Sequence, residues 1–220
     1  GTVEHTGAGR FYVYGGASAT NAADWRITEG GDLWGFTGAG TFTNTASATL
    51  TASGAETTQI VGGGLTVSNA GTVDVREGTL SVSRPFTHLP GAVLMGSGTF
   101  EPGTQFALQG TLAPGTSPGL LSWTGRYAPE ATADLAIEIG GSEPGTGHDQ
   151  LAVSGEAAAS GRLTAEVLPG YTPTDGEVLT VLTATSVTGG FTFEGLVDPV
   201  ADVSLYPDVT ETAVTLTAFN

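Results

Sequence analysis

The sequence repeats itself at short range. Residues 38–52, GAGTFTNTASATLTA, superimpose on residues 63–77, GGLTVSNAGTVDVRE, at an offset of 25. That offset places Gly38 on Gly63, Thr41 on Thr66, Phe42 on Val67 and Asn44 on Asn69. Residues 71–80 superimpose on 91–100 at an offset of 20, with Val73 on Val93, Gly78 on Gly98, Thr79 on Thr99 and Leu80 on Phe100. The unit Gly-Thr-apolar returns at Gly110, Thr111 and Leu112. A repeat of this length marks a chain of stacked units, each too small to bury its own apolar face.

Within each unit the apolar residues alternate over very short runs: Leu65 and Val67, Val73 and Val75, Leu80 and Val82. Alternation is the period of a half-buried strand. Strands this short make poor hairpins, but each can stack on its equivalent in the next unit, one inward residue above another. A β-solenoid follows, and an antiparallel sandwich leaves the self-matches unexplained. Residues 1–127 make roughly six coils, a rod on the order of 30 Å long at about 4.8 Å per rung. Val67, Val73, Leu80, Val82, Val93 and Phe100 are expected to point inward. The 35 glycines supply the corners such coils need.

Beyond residue 128 the strands lengthen, as at 135–139, 162–167, 178–182 and 214–218. The division expected is coils over 1–127, then terminal coils and an antiparallel β cap over 128–220. A solenoid needs a cap because its last rung otherwise offers an open edge.

The stretch Gly110-Thr111-Leu112-Ala113-Pro114-Gly115-Thr116-Ser117-Pro118-Gly119-Leu120 resembles a G-x-L-x-P-G-x-S-P-G segment. That segment occurs near the C-terminal end of large bacterial surface proteins of the autotransporter passenger type. Gly147 to Gly155, HDQLAVS between the two glycines, is similar to their G-x-x-Y-D-Q-L-x-V-x-G segment, with Asp149 kept and His148 in place of the aromatic. Gly161 to Pro173 continues the likeness as a strand and turn, and the whole match covers about residues 60–195. The resemblance implies a right-handed parallel β-helix exposed outside the cell, and marks Gly110, Leu112, Pro114, Gly115, Ser117, Pro118, Gly119 and Asp149 as architectural. The two Pro-Gly pairs also read directly as tight corners, since proline fixes φ and glycine permits positive φ.

Charge excludes several functions. The chain has six arginines, no lysine and 22 acids, a net charge of −16. Nucleic acid and anionic membranes need clustered cations and are poor partners. Without lysine there is neither a Walker-type phosphate loop nor Schiff-base chemistry. Without cysteine there is neither a disulfide nor a thiolate metal site. No apolar run reaches the roughly 18–20 residues of a membrane-spanning helix, so membrane insertion is not expected of this segment. The start at Gly1, without methionine or an apolar signal core, reads as a processed protein or fragment.

Catalytic and binding constellations are sparse. His5, His88 and His148 are too scattered for a metal site and read as surface or structural residues. Asp74 with Glu77, and Glu29 with Asp32, are the acid pairs to weigh for glycoside hydrolysis, and Arg76 or Arg84 for a lyase base. Asp198, Asp202 and Asp208 offer a weak surface calcium site at most, and no cofactor is expected. Asn21, Asn44 and Asn69 are not glycosylation sequons. Phe11, Tyr12, Tyr14, Trp25, Trp34 and Phe36 are read first as filling the end of the core, and otherwise as a sugar-stacking surface.

The function expected is that of a non-enzymatic, secreted or cell-surface β-helix of bacterial origin with a structural or adhesive role. The alternative is a polysaccharide-binding or polysaccharide-degrading β-helix. Partners are a second copy, arranged head to tail, or host and cell-surface glycans. One test needs only the charges. Residues 1–127 carry eight acids and five arginines, net −3, and 128–220 carry fourteen acids and one arginine, net −13. Moderate salt or divalent cations should therefore raise the melting temperature by screening the C-terminal part. A flat salt series would show the acids to be too dispersed to matter.

Overall fold

A computed structural model describes residues 1–193, the backbone of 197–198 and residues 203–219. These contain strands and turns but no helix. Glycine and polar turns redirect the chain between strands, and along the strands apolar residues alternate inward, with threonine opening several of them, as at Thr49, Thr72, Thr79, Thr99 and Thr111. The outcome is a parallel β-helix whose coils carry three short strands, one for each face.

The first sheet stacks Thr2–His5, Asp24–Thr28, Thr49–Ser53, Thr72–Val75, Val93–Gly96, Thr111–Pro114, Asp134–Ile139, Arg162–Val167 and Thr192–Phe193. The second stacks Arg10–Val13, Asp32–Gly35, Thr57–Gly62, Thr79–Val82, Thr99–Pro102, Leu120–Trp123, Gln150–Val153 and Val178–Thr183. The third holds Ser18–Asn21, Gly40–Asn44, Leu65–Asn69, Phe86–His88 and Phe106–Leu108. A separate pair, Glu156–Ala159 and Ser186–Gly189, follows the latter in the chain. Between them a single bridge joins Tyr127 to Ala157. Nine strands at about 4.8 Å make a stack of roughly 38 Å.

Register builds the core. On the first sheet Val3, Trp25, Leu50, Val73, Leu94, Leu112, Leu135 and Leu163 lie one above another. The third sheet aligns Ala19, Phe42, Val67, Phe86 and Phe106. Aromatic rings fill the middle: Phe86, Phe100, Phe106, Trp123 and Tyr127 form a chain of contacts with centroids 5.0 to 5.7 Å apart.

The offset of 25 is realised in the pairing of Thr41, Phe42 and Asn44 with Thr66, Val67 and Asn69. The offset of 20 holds for Leu80 on Phe100. It fails on the first sheet, where Val73 pairs with Leu94 rather than Val93. The offset is 19 at Asn69 on His88, 21 at Val73 on Leu94 and 20 at Leu80 on Phe100, so two extra residues enter the earlier corner and one is lost at the next. Val93 therefore faces outward, half-buried, while Val67, Val73, Leu80, Val82 and Phe100 are buried as expected. Alternation reports which residues share a face, but a one-residue slip exchanges the faces.

The coil also grows. Equivalent positions are 18 residues apart from Val93 to Thr111 but 28 from Asp134 to Arg162 and 30 from Arg162 to Thr192. The stack then closes: Ala213–Phe219 pairs antiparallel with Val178–Thr183, and Val203–Val209 pairs antiparallel with Ala213–Phe219. This is the antiparallel cap expected of the C-terminal part.

Leu80 is fully buried between Thr58 and Phe100 of the neighbouring rungs. Rungs on both sides hold the backbone in place, so Leu80→Ala leaves a cavity that cannot collapse. The expected loss is roughly 2–4 kcal/mol, read as a shift of the urea midpoint with the slope unchanged.

Candidate functional site

The segments that carry the family resemblance meet at one carboxylate. Gly110 sits against the carbonyls of Leu89 and Ala92, and Leu112 stacks between Leu94 and Leu135 in the core. After Pro114 the chain doubles back, with φ of 93° at Gly115 and 80° at Ser117. A side chain on Gly119 would meet Gly115 Cα at 2.6 Å, so this closure demands glycine. Gly115 N–H donates to Gly96 O at 2.7 Å, and Gly96 N–H donates in return at 3.1 Å. Pro118 is half-buried and Ser117 exposed at the tip.

Asp149 locks this loop. Its Oδ1 accepts from Gly119 N–H at 2.7 Å, and its Oδ2 accepts from Glu138 N–H at 2.9 Å. Burial pushes its pKa up to about 6, helped by the Glu138 carboxylate and opposed by the two N–H donors. With both oxygens occupied by backbone, Asp149 is a clamp. Beside it lies a groove of about 550 Å³ over the outer face of the first sheet, lined by Met95, Ala113, Ala136 and Thr164. Glu138 and Glu166 also line it and stand in register on adjacent strands. Like charges so placed repel each other.

The N-terminal aromatics divide between two faces, which corrects their reading as core filling. Phe11 and Trp25 take inward positions, with ring centroids 4.7 Å apart in a T-shaped contact, and Trp25 continues onto Phe42 at 5.5 Å. Tyr12, Tyr14 and Phe36 face outward, 41%, 57% and 43% exposed. Their rings touch, at 5.1 Å for Tyr14–Phe36 and 5.9 Å for Tyr12–Phe36. Trp34 pairs in register with Tyr12, and the Arg10 guanidinium lies 4.2 Å over its ring. Arg10 also reaches Asp32 Oδ2 at 3.3 Å, and Asp32 Oδ1 accepts from Gln59 N–H. This outer face of the first two coils presents rings beside polar groups already held in place.

The acid pairs are not brought together as facing free carboxyls. Asp32 is tied to Arg10 and Asp74 to Arg76, the latter at 2.6 Å, while Glu29 and Glu77 are exposed. Asp74 Oδ1 and Arg84 Nε are buried without a hydrogen-bond partner. Among the described residues no group of three or more His, Asp or Glu could hold a metal ion. Asp208 is exposed, Asp202 lies outside the described residues, and Asp198 is described by its backbone alone. No helix of the described residues is long and apolar enough to cross a membrane.

Two histidines are structural. Both ring nitrogens of buried His148 face carbonyls, of Gly141 at 3.2 Å and Thr180 at 3.1 Å, joining its loop to the next coil. His88 ends a buried polar ladder that sequence reading missed. Asn21 Nδ2 donates to Asn44 Oδ1 at 2.8 Å, Asn44 Nδ2 to Asn69 Oδ1 at 2.7 Å, and Asn69 Nδ2 to His88 Nδ1 at 2.9 Å. Each asparagine also donates to a backbone carbonyl of a corner, namely Thr49, Thr72 and Gly71. The signal was present in the alignment of Asn44 on Asn69, one strand end before each corner.

His88 Nδ1 accepts from Asn69, so Nε2 carries the proton and donates to Thr111 O at 3.2 Å. A second proton would set donor against donor. Burial, the larger cause, lowers the His88 pKa to about 4 despite the backbone carbonyls of Thr111 and Ala92. A depressed histidine contributes stability above its unfolded pKa of about 6.5 and loses it as pH falls toward 4. Asp149, raised from 3.8 to about 6, acts oppositely: its ionisation costs stability as pH rises through 6. Over the same window the two largely offset each other. His88→Asn removes one side of that balance. Relative to the wild type it should gain about 3 kcal/mol between pH 7 and pH 4, measured by urea unfolding at each pH. A constant difference between the two proteins would refute the assignment.

Comparison with known proteins adds no relative: no protein-family profile matches the chain, and no curated protein sequence matches it.

Proposed function

We propose that the chain is a rigid structural and adhesive segment of an extracellular bacterial surface protein of the autotransporter passenger type. Its stacked coils hold a contact face at a fixed position, and that face binds neutral glycans without cleaving them. The observation that carries this reading is the outward cluster of Tyr12, Tyr14 and Phe36 on the first two coils.

Rings on a rigid scaffold lose little conformational freedom on binding, and two of these three carry a hydroxyl at the rim. A sugar ring offers one apolar C–H face and a margin of hydroxyls, which matches that surface. The net charge of −16 disfavours acidic polysaccharides and leaves neutral ones. Adhesion is favoured over hydrolysis because Asp32 and Asp74 are each tied to an arginine, where paired-carboxyl chemistry needs them free.

Beads coated with the chain should be retained on surfaces bearing neutral polysaccharides, with no release of reducing ends. Tyr14→Ala combined with Phe36→Ala should weaken retention about tenfold or more. Release of reducing ends would put the enzymatic alternative in its place, and indifference to every glycan tested would remove the adhesive role.

A further inference from the structure

The third sheet is interrupted in mid-stack. Phe106–Leu108 is its outermost strand, while the other two sheets run on. Tyr127, which follows one rung later, is bonded to the far side: its N–H donates to Glu156 O and its carbonyl accepts from Ala158 N–H. On the near side Leu108 O accepts from Glu130 N–H, and no strand of the described residues pairs with Phe106 there. A cavity of about 440 Å³ opens at this break in the wall of the coil. A side chain at Gly125 would meet nothing within 4 Å, so the entrance beside Arg126 is open.

The cavity joins apolar rings to one cation. Its apolar lining is Pro102, Phe106, Leu108 and Trp123. In the chain of rings from Phe86 to Tyr127, Phe106 alone is left half-buried, the other four being at most 3% exposed. Trp123 Nε1 already donates to Arg126 O at 3.1 Å, so the indole has no donor to spare. Arg126 also lines the cavity and is exposed. Four of the six arginines are held in ion pairs, by Asp32, Glu4, Asp74 and Asp134. The Arg126 guanidinium has no such partner among the described residues, in a chain with 22 acids. Glu130, four residues on, is held by Gln109 Nε2 at 3.1 Å.

We infer that this cavity is a binding site for a small aromatic monocarboxylate, a benzoate-type acid with its ring against Phe106 and its carboxylate on Arg126. The guanidinium fork matches a planar carboxylate through two parallel N–H···O bonds. The ligand ring extends the existing chain of aromatic contacts, and the volume lies in the range of small-molecule pockets. The net charge of −16 opposes any anion, but a single charge least, which favours a monocarboxylate over a phosphate or a polyanion. A sugar acid carries the same carboxylate, yet its ring hydroxyls would lie against Phe106, Leu108 and Pro102 without partners. The site is separate from the outward rings of Tyr12, Tyr14 and Phe36 and does not depend on glycan binding there.

Benzoate titrated against the intact chain and followed by saturation-transfer NMR should bind with a dissociation constant of about 1 mM or tighter. Arg126→Gln should weaken binding about tenfold or more, and benzamide, with the same ring and no charge, should bind the parent chain about as poorly. Thr104→Phe, which puts a ring into the cavity from an exposed position, should abolish binding while circular dichroism stays unchanged. Arg26→Gln removes the same charge from an exposed arginine paired with Glu4 and should leave the affinity within about twofold. Absence of saturation transfer at about 10 mM benzoate would overturn the site. Glucuronate binding as tightly as benzoate would overturn the aromatic ligand, and an equal loss in Arg26→Gln and Arg126→Gln would overturn the role of Arg126.

Discussion

A strand of four or five residues has almost no stability of its own, and this molecule is made of such strands. What holds each one is the strand directly above and the strand directly below, hydrogen-bonded along the long axis and matched residue for residue. In-register stacking therefore comes first, and everything else depends on it. It brings Leu50, Val73 and Leu94 into one column, and it also places Glu138 beside Glu166. A position in one coil sets the surroundings of its equivalents in the next.

Stacking ties the corners together as well as the strands, since Gly71 O accepts from Val93 N–H and Ala48 O from Thr72 N–H. The asparagine ladder adds side-chain bonds there from inside the coil. Each amide links one rung to the next and also holds a corner carbonyl, so the polar groups buried there are satisfied together. Asp149 does related work farther along. Its carboxylate joins the tight loop after Pro114 to the strand bearing Glu138, just where the coils begin to lengthen. Longer coils need fastening between segments distant in sequence, and a buried acceptor with two N–H donors provides it. Burial perturbs His88 and Asp149 alike, in opposite directions of charge, as desolvation must.

This architecture separates the body of the molecule from its ends. All the large apolar side chains that stay exposed among the described residues lie between Val3 and Phe36 or between Val178 and Phe219. The coils between them present threonine, serine and charged residues. The outward rings of Tyr12, Tyr14 and Phe36 face sideways from the first two coils.

The sequence by itself determined the β-helix, its repeat, the inward positions at Val67, Val73, Leu80, Val82 and Phe100, and the change of texture that becomes the cap. Periodic alternation and recurring Gly-Thr corners report local geometry, and in a solenoid local geometry is nearly the whole fold. Only the tertiary structure decided the rest. Leu94 displaced Val93 because a corner can absorb extra residues, and no local pattern records where. Tyr12, Tyr14 and Phe36 faced solvent while Phe11 and Trp25 turned inward, because alternation assigns faces only once a strand's neighbours exist. Asn21, Asn44, Asn69 and His88 became a ladder because coils of unequal length brought their corners into line. The meeting of Gly119, Glu138 and Asp149 likewise needed two coils folded on one another. Spacing along a chain shows what each coil can do, and contact between coils is a property of the stack.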